Sequence, residues 1–205
     1  MLGDEISLRY VGDRAVLLET DGAAAAHQVR SRLERARPDG VVESVVGAAG
    51  LLVLLDPARC DLAALRRAAA TPSTTDGARP VTVHIPVDYD GADLAEVAEL
   101  SGLTIEQVVA RHAVPTYTVA FLGFAPGFGY LSGLDPALRV ARRDSPRQRV
   151  PAGSVAIAGE YAAVYPRDTP GGWRLLGRTD VAMFDPDQDP PALLAPGTPV
   201  RFVPC

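Results

Sequence analysis

Apolar and polar residues alternate with a period of two over Ile6–Tyr10 and Ala15–Glu19, on either side of the turn Val11-Gly12-Asp13-Arg14, which predicts a pair of strands. The period then lengthens to that of a helix over Ala23–Arg37, with Val29 and Leu33 on one face and Arg30, Arg32, Arg35 and Arg37 mostly outside. The same succession repeats. Val41–Gly47 and Leu51–Leu55 read as strands, and Leu62–Ala70 as a second helix anchored by Leu62 and Leu65. Two β-β-α passes are buried most economically as one small sheet with two helices on one face. The stretch TPSTTDGARP (71–80) has linker composition, which sets the expected domains at 1–78 and 79–205.

Val81–Val87 restarts a strand, and DLAEVAELSGLTIEQVVARH (93–112) reads as two short helices around Ser101-Gly102. Asp93 with Glu96 and Thr104 with Gln107 both have the spacing of a capping box. From 114 onwards the pattern is β-rich, with alternation in Tyr117–Phe124 and Ser154–Ala158 and a closing strand at Val200–Val203. Gly and Pro, each costing about 1–3 kcal/mol inside a helix, interrupt residues 121–179 too often for helical structure. Phe121, Phe124, Phe128, Tyr130, Tyr165 and Trp173 carry too much apolar surface for that stretch to be disordered. Short strands joined by fixed turns remain, and closing them into a barrel leaves no edge open. The fold class expected is α+β: a small N-terminal α+β sheet domain followed by a β-barrel domain with a helical insert. Aromatics and arginines projecting from the barrel turns mark a small-molecule site.

Composition narrows the chemistry. With 47% hydrophobic and 22% charged residues the chain is an ordinary globule, and no apolar stretch is long enough to span a membrane. The start MLGDEISLRY lacks a signal-peptide pattern, and Cys60 and Cys205 form no paired motif, so a reducing cytoplasm is expected. A net charge of -5 argues against nucleic acid and anionic lipid. Residues 98–104 have helix-turn-helix turn chemistry, but Asp93, Glu96, Glu99 and Glu106 against Arg111 alone would repel a phosphate backbone. His27, His84 and His112 offer no pair with metal-ligand spacing. His112 ends a helix, where the dipole favours a cationic imidazole, and lies five residues before the strand leading into GFAPGFGY.

All 20 basic residues are arginine. A Schiff base, a lysine base and a Walker-type phosphate lysine are therefore excluded, and any phosphate must meet arginine, backbone N–H groups or another subunit. Ser154 does not sit in a G-x-S-x-G elbow. The amides of Ala152-Gly153-Ser154 read equally as an anion-holding nest or as a tight turn. Arg147, Arg149, Arg174 and Arg178 cluster in the same region, with the fork geometry that suits carboxylate or phosphate.

GFAPGFGYL (123–131), PRQRVPAGSVAIAG (146–159) and YPRDTPGGWRLLGRT (165–179) resemble, in order and spacing, the allophanate hydrolase subunit 1 family. SLRYVGDRAVLLE (7–19) and PGTPVRF (196–202) extend the resemblance over nearly the whole chain. That family includes the B component of the bacterial ATP-dependent 5-oxoprolinase and a Kip-type inhibitor of a sporulation histidine kinase. The resemblance implies that the barrel is cyclophilin-like, although prolyl isomerase activity does not follow from a shared fold. It implies a subunit, inactive alone, that joins a subunit 2 partner and a third subunit to convert 5-oxo-L-proline to L-glutamate, with ATP bound at a site shared with the partner. A non-catalytic module that inhibits a histidine kinase and a urea or allophanate pathway component are the alternatives it leaves. Matched residue by residue, it places His112, Tyr117, Phe128, Tyr130, Arg147, Ser154, Tyr165, Trp173, Arg178 and Thr179 around the substrate. Arg147 and Arg178 would take anionic groups, and Tyr130, Tyr165 and Trp173 would form walls. The chain departs from the family at Ala141-Arg142, where Pro-Arg is usual, and at Glu160-Tyr161-Ala162 beside the expected pocket. So many loop aromatics also point to a seam with the partner, anchored by Phe128.

Overall fold

Alternating Val and Leu residues in the first part of the chain build an antiparallel sheet from β1 (Leu8–Tyr10), β2 (Ala15–Glu19), β3 (Val41–Gly47) and β4 (Gly50–Leu55), in the order β1-β2-β4-β3. Opposed pairs such as Val16 with Val53 and Leu18 with Leu51 are fully buried. Helix α1 (Ala23–Ala36) packs on β3, β4 and α2 (Leu62–Ala70), and contributes Ala26, Val29 and Leu33 to the buried set. The two β-β-α passes are therefore present as expected. The computed structural model describes residues 6–71 and 81–205, so the expected linker lies, Thr71 excepted, outside the described residues. The chain divides into two compact units, Met1–Arg79 and Pro80–Cys205.

In the second unit, seven strands pair in the order β12-β9-β10-β7-β6-β13-β5. They are β5 (Val83–Val87), β6 (Tyr117–Leu122), β7 (Gly129–Ser132), β9 (Ser154–Ala158), β10 (Tyr161–Val164), β12 (Arg174–Arg178) and β13 (Pro199–Pro204). Between them β8 (Arg147–Val150) and β11 (Thr169–Gly171) form a separate two-stranded ribbon. The sheet curls until its ends meet. Asp88, just past β5, exchanges both backbone hydrogen bonds with Arg178 of β12 at 2.9 Å, and the Gly91 and Asp93 amides donate to the Leu176 and Leu175 carbonyls. Glycine is required at 177, because a Cβ there would fall against the Asp88 carbonyl oxygen. The result is the nearly closed barrel expected from the strand-and-turn pattern.

Helices α3 (Leu94–Ser101) and α4 (Ile105–Ala113) send Leu94, Val97, Ala98 and Val108 into the barrel core, so the pair is a packed part of the barrel domain. At α4 the capping box forms, Gln107 N–H to Thr104 Oγ1 at 3.2 Å and Thr104 N–H to Gln107 Oε1 at 2.9 Å. At α3 it does not. Asp93 is 1% exposed and makes no side-chain cap. Its carboxylate accepts instead from Arg147 at 2.7 Å, Arg143 at 2.9 Å and the Leu175 amide at 2.7 Å. Charge-assisted bonds in a buried setting outweigh a bond to helix N–H groups.

Alternation along β9 and β10 separates two apolar layers. Val155, Ile157, Ala162 and Val164 join the core shared with α3 and α4. Ala156, Ala158, Ala163 and Tyr165 face the other way, into a smaller cluster with Phe128, Val150, Trp173 and Leu175. That second layer positions the site.

Candidate functional site

Alanine at 156, 158 and 163 leaves room above the sheet for large rings. Phe128, Tyr130, Tyr165 and Trp173 fill it edge to face, with Phe128 5.3 Å from Tyr165 and 5.5 Å from Trp173, and Tyr130 5.5 Å from Trp173. These are favourable aromatic geometries and they make a stiff wall. The rings enclose a cleft of about 80 Å³, completed by Phe124, Arg142, Gly171 and Gly172. A Cβ at 171 would press on the Tyr165 hydroxyl, so glycine keeps this side of the cleft clear. Burial raises the Tyr165 phenol above its ordinary value, against the Trp173 amide hydrogen bond and the charges of Arg142 and Arg147, so it stays protonated at neutral pH.

Phe124 stands at the rim, 59% exposed, with φ of 67°. A bulky residue in the left-handed region costs about 1–3 kcal/mol and is held there by its surroundings, here edge contacts to Phe128 at 5.1 Å and Tyr165 at 6.3 Å. Arg142 completes the mouth, its guanidinium 5.8 Å over the Trp173 ring. It forms no ion pair among the described residues. Sequence reasoning noted position 142 only as part of a departure from the family pattern. The signal available was its place beside a run of arginines, and nothing in the chain order says which of them lacks a partner.

The remaining site residues expected from the resemblance lie elsewhere. Arg147 is tied to Asp93, and Arg178 sits at the barrel seam, 3.1 Å from Asp90 and 3.8 Å from Asp88. Both guanidiniums expected to take anionic groups are thus already engaged by carboxylates of the chain. Ser154 lies across the ladder from Tyr165, but its hydroxyl donates to the Pro151 carbonyl at 2.8 Å. Thr179 is buried beside it, its amide donating to Gly153. The three amides that could have formed a nest are spent: Ala152 donates to Asp168, Gly153 to the Tyr165 carbonyl and Ser154 to the Pro151 carbonyl. The tight-turn alternative is the one observed.

His112 and Tyr117 belong to the barrel core and do not line the cleft. The Tyr117 hydroxyl donates to the His112 carbonyl at 2.9 Å, and the imidazole is wholly buried. Phe128 is only 1% exposed and Trp173 5%, so neither is a surface anchor for a partner seam; Phe124 is the ring left outside. Their edge-to-face packing, invisible in chain order, is the reason. The structure brings together Phe128, Tyr130, Tyr165 and Trp173, adds Phe124 and Arg142, and leaves the other expected residues at the seam or in the core.

The family model described as carboxyltransferase domain, subdomain C and D, matches residues 6–194. The chain belongs to this family. It is 44% identical to the 5-oxoprolinase B component of Escherichia coli O157:H7 over 95% of its own length and 94% of that relative. It is 48% identical to the Bacillus subtilis protein of the same name, over 59% of the chain and 52% of the relative. These relatives bear out the resemblance to the family that includes this 5-oxoprolinase component. Among solved structures, TTHA0988 superposes with a TM-score of 0.83 at 40% identity, over 94% of the chain but 40% of that longer protein. The Kluyveromyces lactis urea amidolyase, at 22% identity and a TM-score of 0.75, shares the fold over 98% of the chain and 15% of its own. Among the described residues no helix is long and apolar enough to cross a membrane.

Proposed function

We propose that this chain is a subunit of a cytoplasmic ATP-dependent 5-oxoprolinase, converting 5-oxo-L-proline to L-glutamate together with a subunit 2 partner and a third subunit. The observation that carries the reading is the 44% identity to a 5-oxoprolinase component over nearly the full length of both proteins. The cleft agrees with a small cyclic substrate. A cleft of about 80 Å³, open to solvent at its mouth and walled by rings, suits a small ring better than a large flexible ligand. Tyr130, Tyr165 and Trp173 act as walls, stacking on the ring and shutting out water.

Opening a lactam is uphill without coupling, so the amide oxygen is phosphorylated before water attacks. The chain has no lysine to meet that phosphate, and among the described residues Arg142 is the one cation that lines the cleft. ATP therefore binds at a site completed by the partner. The test is a coupled ATPase assay on the reconstituted subunits. ATP hydrolysis that rises on adding 5-oxo-L-proline, with glutamate formed in step, is expected; a complete set of subunits showing neither would overturn the reading.

A further inference from the structure

We infer that Arg142 is the carboxylate anchor of the aromatic cleft, so that the cleft selects small cyclic monocarboxylates over their uncharged counterparts. The inference deepens the 5-oxoprolinase reading and rests on it for the choice of ring. Its physical basis is separate. Four nearby arginines are held by carboxylates of the chain, Arg143 and Arg147 by Asp93, Arg149 by Asp168, and Arg174 by Glu96. Arg139, just past Leu138, and Arg167, on the turn after β10, do not line the cleft. Arg142 alone both lines the cleft and makes no ion pair among the described residues, so its charge is free for a ligand.

The geometry also chooses the kind of anion. The guanidinium lies 5.8 Å from the centroid of the Trp173 ring, a cation–π contact that engages its charge but none of its N–H groups, and their planar fork matches the two oxygens of a carboxylate. One guanidinium balances the single charge of a carboxylate, whereas a dianionic phosphate would call for further cations, and Arg143, Arg147, Arg149 and Arg174 are already paired with carboxylates of the chain. Behind the guanidinium the walls are rings, which accept the apolar flank of a small cycle. Phe124 at the rim then covers the ligand from the solvent side.

Trp173 is the chain's one tryptophan, so its fluorescence reports on the cleft directly. The experiment titrates 5-oxo-L-proline, cyclopentanecarboxylate and the decarboxylated lactam 2-pyrrolidinone into the chain, following Trp173, and into the reconstituted complex by calorimetry. The carboxylates are expected to bind at least about tenfold more tightly than 2-pyrrolidinone, with Arg142→Ala abolishing that preference and Arg142→Lys restoring only a small part of it. Arg142 is exposed, so circular dichroism should show both variants folded. Equal affinity for charged and uncharged ligands, an unchanged preference in Arg142→Ala, or no binding of either carboxylate by chain or complex would overturn the inference. If the complex turns over 5-oxo-L-proline and Arg142→Ala keeps its kcat/KM, the anchor is wrong and the function stands. If cyclopentanecarboxylate binds through Arg142 while 5-oxo-L-proline neither binds nor stimulates ATP hydrolysis, the anchor stands and the function is wrong.

Discussion

His112 lies among Phe202, stacked at 4.5 Å, Tyr117 at 5.6 Å and Tyr89 at 5.7 Å, and its Nδ1 shares a 2.8 Å hydrogen bond with the Tyr89 hydroxyl. Its Nε2 has no hydrogen-bond partner among the described residues. Burial pushes its pKa down to about 3, from an ordinary 6.5. The unfolded chain therefore takes up a proton as pH falls through 6.5, while the folded chain does not until about 3. Stability is full above the unfolded value and declines across that window as the solution is acidified, by about 2 kcal/mol between pH 7 and pH 5. The two titratable neighbours, Tyr89 and Tyr117, are held protonated by burial and do not change charge there. His112→Gln should flatten the urea midpoint between those pH values, and an unchanged acid slope would remove His112 as its source. The sequence placed this residue at a helix end, where the dipole favours a cation, but a dipole worth about 0.3–1 kcal/mol cannot offset complete desolvation. Arg142 escaped notice for a related reason. Which arginine is free depends on Asp93, some fifty positions away in the chain from Arg143 and Arg147. The aromatic walls were legible because residue type and local turn chemistry suffice to mark them.

Among the elements, Asp93 joins three that are distant in the chain: the start of α3, β8 through Arg147 and β12 through the Leu175 amide, besides the loop arginine Arg143. Burial raises its carboxyl, but the bonds from Arg147 and Leu175 and the charges of both arginines outweigh that and hold it below the usual range. Breaking one side of such a buried arrangement leaves charge uncompensated, and the Arg147 Nη1 and Arg143 Nε atoms are already buried without hydrogen-bond partners among the described residues. Asp93→Asn should therefore cost about 3–5 kcal/mol in urea unfolding, whereas Glu34→Gln, in the exposed i,i+4 pair with Arg30, should stay within about 0.5 kcal/mol. Comparable small losses in both would reduce Asp93 to an ordinary surface acid. Thr104→Ala, which removes one side of the α4 capping box, should cost about 1 kcal/mol by the same measurement, and no change would mean that packing alone sets the start of α4. Periodic segments such as β2, α1 and β3 were readable to within a residue or two. Tyr117–Phe124 was read too long, because Gly123 and the left-handed Phe124 end the strand at Leu122. Strands β7, β8, β10, β11 and β12 run for only three to five residues between Gly and Pro turns, too short for a period to declare itself.

At the scale of the whole molecule, the question is whether one chain carries enough chemistry to couple ATP to lactam opening. The cleft measures about 80 Å³, Arg143, Arg147 and Arg174 are paired with carboxylates while Arg142 is not, and no lysine exists to meet a γ-phosphate. Larger concavities, of about 830 and 620 Å³, lie in the N-terminal unit, but they are open grooves of mixed charge, with Glu34 and Asp39 standing beside Arg30 and Arg59 in the first. Opposite charges so close offer a triphosphate no net attraction. Phosphoryl transfer depends on cations and donors arranged around the developing charge, and a cleft lined by one free guanidinium lacks that arrangement. The chain purified alone is therefore expected to hydrolyse ATP no faster with 5-oxo-L-proline than without it. Adding the subunit 2 partner and the third subunit should produce 5-oxo-L-proline-dependent release of inorganic phosphate. Phosphate release is measured on the single chain first, with mass spectrometry confirming that no partner has co-purified. Sustained substrate-stimulated turnover by that preparation would mean that the complete site lies within this polypeptide, and the shared-site reading would have to be abandoned.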